Sequence, residues 1–225
     1  MTNQFFVLTP ASDRDDTRAV IDQRQPAWET VQCSLYGNVE RRRIGPLAIS
    51  EIPSAQGIVW TWYSDLLATD RVRRVVESSI SGCSFLPVTV SGRTALSTPC
   101  LWEMRVTGFA GFASAAGGLD VRSRCDECGI YSYSVPTPFA SLIDTTKWDG
   151  SDLFTIWPFP RIQICTRKAA MVLRQSDIGG VATIPIEDFD LMSGSAAPGL
   201  PSAWLDEVAV DRLMADADFI NAICP

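Results

Sequence analysis

Apolar and polar positions along the chain predict a strand, a helix and a second strand, and this pattern occurs twice. The first copy opens with Ile58-Val-Trp-Thr-Trp62, an apolar run of strand length. From about Thr69, Val72, Val75, Val76 and Ile80 recur at helical spacing, so one helix face is apolar. Gly82 ends that helix, and Phe85-Leu-Pro-Val-Thr-Val90 follows as a strand. The second copy has strands at Leu153–Ile156 and Ile162–Ile164, then a helix near Thr166 carrying Ala169, Val172 and Leu173. Gly179-Gly180 breaks it before the strand Val181–Ile186. Thr69 and Thr166 both suit an N-cap. Gly82 to Pro87 and Gly180 to Pro185 are both five steps apart, and a proline inside a strand places it at a sheet edge or a bulge. The correspondence predicts a diverged internal duplication.

Elsewhere the pattern is looser. Gln4–Leu8 reads as a buried strand, and residues 18–57, with Arg41-Arg-Arg43, Gly45-Pro46 and Pro53, read as loops and short strands. Leu101–Thr107 alternates as a half-buried strand does, with Gly108–Gly118 as a loop of small residues and further strands at Leu119–Arg124 and Ile130–Ser134. Trp60 and Trp62 share a strand face by period two. Trp157-Pro-Phe-Pro160 forms a stiff aromatic turn, and Trp148-Asp-Gly-Ser-Asp152 a turn before a strand. Ser193–Pro201 is a linker into an acidic helix capped by Ser202, with Val210, Leu213, Met214 and Ala217 on its apolar side.

The predicted fold is therefore α/β or α+β, with two related strand–helix–strand units around a mixed or antiparallel sheet. Along the chain, residues 1–57 form an N-terminal strand and loop region, and 58–118 the first unit with a central strand. Residues 119–192 hold a CxxCG turn at one sheet edge and the second unit, and 193–225 the acidic C-terminal helix. The whole reads as one domain or two small lobes.

Composition narrows the chemistry. Of 225 residues, none is histidine, which excludes Ser-His-Asp and Cys-His catalysis and histidine-ligated zinc. Any catalyst would have to use carboxylates, thiolates, Tyr, Lys or Arg. Asp149 and Asp152 could pair as acid and base only inside a cleft. The net charge of −7 is uneven: residues 177–225 hold nine acids against Arg212, a sum of −8 that leaves +1 for the rest. Such an end repels nucleic acid and attracts basic partners. No apolar run reaches the ~20 residues a membrane span needs, and the first residues lack a basic signal region, so the expected location is the cytoplasm.

Cys125-Asp-Glu-Cys128-Gly129, flanked by strand-like sequence, has the form of a zinc knuckle rather than a redox CxxC at a helix start. A knuckle gives two of the four ligands that tetrahedral zinc takes. Cys33-Ser-Leu-Tyr36-Gly37 reads as a second knuckle whose last cysteine has become tyrosine. Cys33, Cys125 and Cys128 are thus candidate ligands of one structural zinc; alternatively the turn is held without metal by hydrogen bonds and packing. Cys83 and Cys165 lie in apolar surroundings as core residues.

Trp102-Glu-Met-Arg-Val-Thr-Gly108, Cys125-Asp-Glu-Cys-Gly129, Trp148-Asp-Gly-Ser-Asp-Leu-Phe154, Cys165-Thr-Arg167 and Gly180-Val181 occur in an order and spacing that resemble the double-CXXCG motif family of bacterial proteins. Many of these are regarded as immunity proteins. The likeness runs from Trp102 to Ile186, with a weaker extension back through Ile58–Val90, and the altered motif at Cys33 departs from the family pattern. The resemblance implies a small cytoplasmic protein that binds and neutralises a cognate toxin, with no catalytic residues. The acidic surface then suits a basic toxin, and Glu187, Asp188, Asp190, Asp206, Glu207, Asp211 and Asp218 are the candidate partner-binding residues, with neither nucleic acid nor membrane as partner. The alternative is a small structural zinc-binding or scaffold protein.

Overall fold

The computed structural model describes residues 4–12, 18–24, 28–32, 39–43, 45–53, 57–91, 100–114, 117–125, 131–134, 138–190 and 201–223. The chain begins with β1 (Phe5–Pro10), β2 (Arg18–Ile21), β3 (Trp28–Gln32), β4 (Val39–Arg43) and β5 (Ala48–Glu51). The first unit runs through β6 (Ile58–Thr61), β7 (Leu66–Thr69), α1 (Asp70–Ser79), β8 (Cys83–Pro87), β9 (Thr89–Val90) and β10 (Leu101–Val106). Then come β11 (Gly108–Phe112) and the hairpin β12 (Val121–Arg124) and β13 (Tyr131–Tyr133). The second unit has β14 (Leu153–Trp157), β15 (Ile164–Thr166), α2 (Arg167–Gln175) and β16 (Val181–Pro185), and the chain ends in α3 (Glu207–Met214) and α4 (Ala217–Ile223). The architecture is α+β.

Both main helices start where the pattern puts them. The Thr69 hydroxyl accepts from the Val72 N–H, and the Thr166 hydroxyl from the Ala169 N–H, so each threonine satisfies a donor that the first turn leaves open. Helix α1 buries Val72 and Val76, and α2 buries Ala169 and Leu173. Both helices exit to glycines with positive φ, Gly82 at +82° and Gly180 at +81°.

Two mixed sheets carry the units. One has seven strands in the order β8-β10-β7-β6-β2-β5-β9; the other has five, β11-β14-β15-β1-β16. Five strands of the first, β8-β10-β7-β6-β2, match the second in order, β16-β1-β15-β14-β11. In the first, β6 pairs antiparallel with β7, β7 with β10 and β10 with β8, while β2 lies parallel to β6. In the second, β14 pairs antiparallel with β15, β15 with β1 and β1 with β16, while β11 lies parallel to β14. Even the register agrees, since Trp102 faces Pro87 and Phe6 faces Pro185. Both proline-bearing strands are edge strands. The two units thus repeat one arrangement in three dimensions, but the strand equivalent to β10 is supplied to the second unit by β1. Of the strands before residue 57, β1 joins one sheet, β2 and β5 join the other, and β3 and β4 pair with each other.

The units grip each other reciprocally. Ile58 N–H donates to Gly179 C=O at 2.9 Å, and Leu153 N–H to Ser81 C=O at 3.0 Å. Between them Ile58, Trp60, Leu66, Val72, Val76, Leu8, Leu153, Cys165 and Leu173 form one core under both helices. The opposite strand faces serve other cores: Phe5, Val7, Phe154 and Ile156 pack with Phe112, Leu213 and Phe219, and Val59 and Leu67 with Ile21 and Ile49. This is period-two alternation applied to two sheets that are buried on both faces.

Several expectations change. Gly108–Gly118 is not wholly a loop, because β11 is a fully buried strand. Its glycine permits close approach: a Cβ on Gly108 would come within 2.0 Å of the Leu153 carbonyl oxygen. Trp62 does not share the burial of Trp60 (56% against 4% exposed), since β6 ends at Thr61 and the chain turns there. The acidic C-terminal helix is two helices, and Asp206 rather than Ser202 caps the first by accepting from the Ala209 N–H. Leu213 is buried as expected, whereas Met214 and Ala217 are exposed. No helix among the described residues is long and apolar enough to cross a membrane.

Candidate functional site: the acidic C-terminal face

Helices α3 and α4 lie against the five-stranded sheet through Ala209, Leu213 and Phe219, with Phe112 and Phe219 rings 5.4 Å apart. Polar contacts fix their position. Asp216, in the break between the helices, accepts from Phe112 N–H at 3.1 Å, Lys147 Nζ at 2.9 Å and Asp218 N–H at 3.0 Å. Lys147 Nζ also donates to Asp218 at 2.6 Å. Arg212 donates to Asp149 at 3.1 Å and to the Lys147 carbonyl at 2.9 Å. Burial opposes the charge on Lys147, but bonds to Asp218 and Asp216 outweigh it and hold its pKa above the ordinary value. Burial likewise pushes the Asp149 carboxyl up, and hydrogen bonds from Ser151 and the Phe109 and Ser151 N–H groups, together with Arg212, bring it below the usual range.

These bonds sort the predicted acids. Asp206 caps α3 and Asp218 holds Lys147, so both have structural work. Glu207 and Asp211 stay exposed on α3, one turn apart, and make no ion pair among the described residues. Val208, at 69% exposure, and Met214, at 50%, add apolar surface to the same helix. Glu187 and Asp188 are exposed in a short 3-10 turn, Ile186–Asp188, and Asp190 follows it. The acids thus occupy two separate elements. Asp216, the anchor of the C-terminal helices, is missing from the predicted set; its signal was its position at the helix break, where a carboxylate can accept from a nearby N–H.

Asp149 and Asp152 act as staples. Asp149 accepts from Phe109 N–H at 2.9 Å, as well as from Ser151 and Arg212. Asp152 bonds Ser81, Thr166 and Lys168. Cys125 is buried just beyond β12, which pairs antiparallel with β13. Cys33 and Cys128 lie outside the described residues, as does the rest of the CxxCG segment. Among the described residues no three or more Cys, Asp or Glu side chains gather as a metal site. Burial pushes the Cys165 thiol up to about 12, and burial followed by the charges of Glu77 and Asp152 takes Cys83 up to about 11. No protein-family model and no curated protein matches the chain.

Proposed function

We propose that this protein is a stoichiometric inhibitor of the immunity type, which binds a cognate protein toxin and blocks it without catalysis. The observation that carries the reading is the acidic C-terminal segment, fastened to the sheet by Lys147 and Arg212 while Glu207, Val208 and Asp211 face outward. A surface held rigid before binding loses little entropy on association. Its carboxylates would take the place of an anionic substrate on a basic toxin, and opposite charge would speed the encounter. The resemblance to the double-CXXCG family supports the same reading, and the proposed setting is the cytoplasm.

The test is to express the neighbouring gene with and without this protein and count survivors, then to run the two purified products on a sizing column. Rescue and a one-to-one complex are expected. Glu207→Gln with Asp211→Asn should weaken the complex at low salt and flatten its salt dependence. Killing that is equal in both cultures overturns the reading. The placement of buried Cys125 at a strand hairpin favours one further reading, a structural zinc held with Cys33 and Cys128. About one zinc per chain by elemental analysis, lost in Cys125→Ser, would support it.

A further inference from the structure

A cleft of about 300 Å³ opens where the turn after β6, strand β10, residues 160–163 and the start of α3 meet. Gln163, 7% exposed, lines it. Its Nε2 donates to the Ser64 carbonyl at 3.4 Å, and its Oε1 has no hydrogen-bond partner among the described residues. The Ser64 carbonyl can only accept, so the donor end of the amide faces the turn and the acceptor end is left over. A buried carbonyl oxygen without a donor is costly, and an apolar side chain of the same shape would serve stability better. The charges around it are unbalanced. Asp65, Glu103 and Asp206 line the cleft against Arg105 and Arg161, an excess of one carboxylate. Arg105 pairs with the buried Glu103 at 3.1 Å, and Arg161 lies over the Trp204 ring with its Cζ 4.6 Å from the centroid. Asp206 caps α3 through a neutral N–H donor, that of Ala209 at 2.8 Å, which leaves its charge in place.

We propose that this cleft takes a lysine side chain of a partner protein, whose ammonium donates to Gln163 Oε1 within the field of Asp65 and Asp206. The orphaned oxygen asks for a donor, and the excess of carboxylate asks for that donor to carry positive charge. An ammonium is a compact point charge that one acceptor and nearby carboxylates can serve. A guanidinium presents five donors in a plane, and two guanidiniums already flank the site. The partner follows from continuity. Asp206 lines the cleft and the next residue, Glu207, faces outward on α3, so a basic protein seated on the acidic face brings its lysines to this opening. The identity of the partner thus rests on the inhibitor reading, whereas the preference for an ammonium rests on the cleft alone.

The probe is the peptide acetyl-Gly-Lys-Gly-amide, with norleucine or arginine in place of the lysine as controls. Two NMR signals of the full chain report on it: the Gln163 side-chain amide, assigned with Gln163→Met, and the Trp204 indole N–H, assigned with Trp204→Phe. The lysine peptide should shift both saturably, the arginine peptide more weakly and the norleucine peptide not at all. Gln163→Met should weaken the lysine peptide by about tenfold, read at Trp204, yet melt no lower than the native protein, because it removes an unpaired buried acceptor. Asp206→Asn keeps the cap and removes the charge, so it should weaken the peptide by about threefold. Equal shifts from the lysine and norleucine peptides, no saturable shift up to ~20 mM lysine peptide, or an unweakened response in either variant overturns the proposal. With the product of the neighbouring gene, Gln163→Met should weaken the complex by the same factor, and an unchanged Kd there overturns the assignment to a partner's lysine. A lysine response that follows the variants, beside equal killing in the growth assay, refutes the inhibitor reading and leaves the cleft as an ammonium site.

Discussion

Asp152→Ala tests how the two units are held together. The Asp152 residue is 7% exposed, and its carboxylate accepts from Ser81 N–H and Oγ at 3.0 Å each, from Lys168 Nζ at 2.7 Å and from Thr166 Oγ1 at 3.1 Å. Ser81 belongs to the exit of the first unit's helix, and Thr166 caps the helix of the second. Lys168 is 62% exposed, so solvent screens its bond, which contributes at most ~1 kcal/mol. The two Ser81 bonds are charge-assisted, but Ser81 sits at the surface, so the low end of ~1.5–3 kcal/mol per bond applies. Allowing for non-additivity, the loss is about 3 kcal/mol, a large share of an ordinary domain's stability. At ~2–4 °C per kcal/mol for a chain of this size, Tm should fall by about 6–12 °C. Asp152→Asn, which keeps some of the acceptors, should fall by less. Calorimetric melting at neutral pH decides it, and a drop under ~2 °C would refute the argument that this carboxylate joins the units. Acid adds a second check. Burial pushes the Asp152 carboxyl up, while Lys168, Ser81 and Thr166 outweigh it and leave it below its ordinary 3.8. The fold therefore prefers the ionised form. That contribution is complete above about pH 4 and is lost as pH falls through the lowered value. The native protein should lose Tm on acidification below that point more steeply than Asp152→Asn.

Two further outcomes follow from burial and backbone geometry. Iodoacetamide at mildly alkaline pH should modify exposed Cys100 well before Cys165 or Cys83, whose thiols burial keeps protonated; peptide mass mapping that finds Cys165 modified first would contradict the packing. Gly180→Ala and Gly82→Ala each put a Cβ at positive φ and within 1.8 Å and 2.1 Å of the Ile58 and Leu153 carbonyl oxygens. Urea unfolding should show losses of at least ~2 kcal/mol for both and within ~0.5 kcal/mol for Gly45→Ala, where the new Cβ meets nothing within 4 Å.

Local signals made the two helices legible. Thr69, Thr166, Gly82 and Gly180 act within one turn of themselves, so caps and stops could be read from the residues alone. The edge positions of β8 and β16 were legible through Pro87 and Pro185 for the same reason. β11 was hidden because Gly108, Ala110 and Gly111 resemble a flexible loop, and only the approach of β14 makes small residues a requirement of a buried strand. Trp62 misled because period-two reasoning continued past Thr61, where the strand ends. The acidic surface was legible as a charge imbalance. Its division between anchors and outward-facing carboxylates was not, since Lys147 lies 69 residues from Asp216 and reaches it only through the fold.

The exchanged strand sets an order of assembly during synthesis. β2 to β10 lie within residues 18–106, so the first unit can gather its own sheet as that stretch emerges. β1 leaves the ribosome before the other strands described, yet its partners β15 and β16 follow roughly 150 residues later, a wait of ~8–30 s at 5–20 residues per second. Throughout that interval Phe5, Val7 and Leu8 have a strand's sequence and no sheet to join. A strand made before the rest of its sheet is therefore among the last to become native, and the growing chain carries an open, apolar strand that other unfinished chains could pair with.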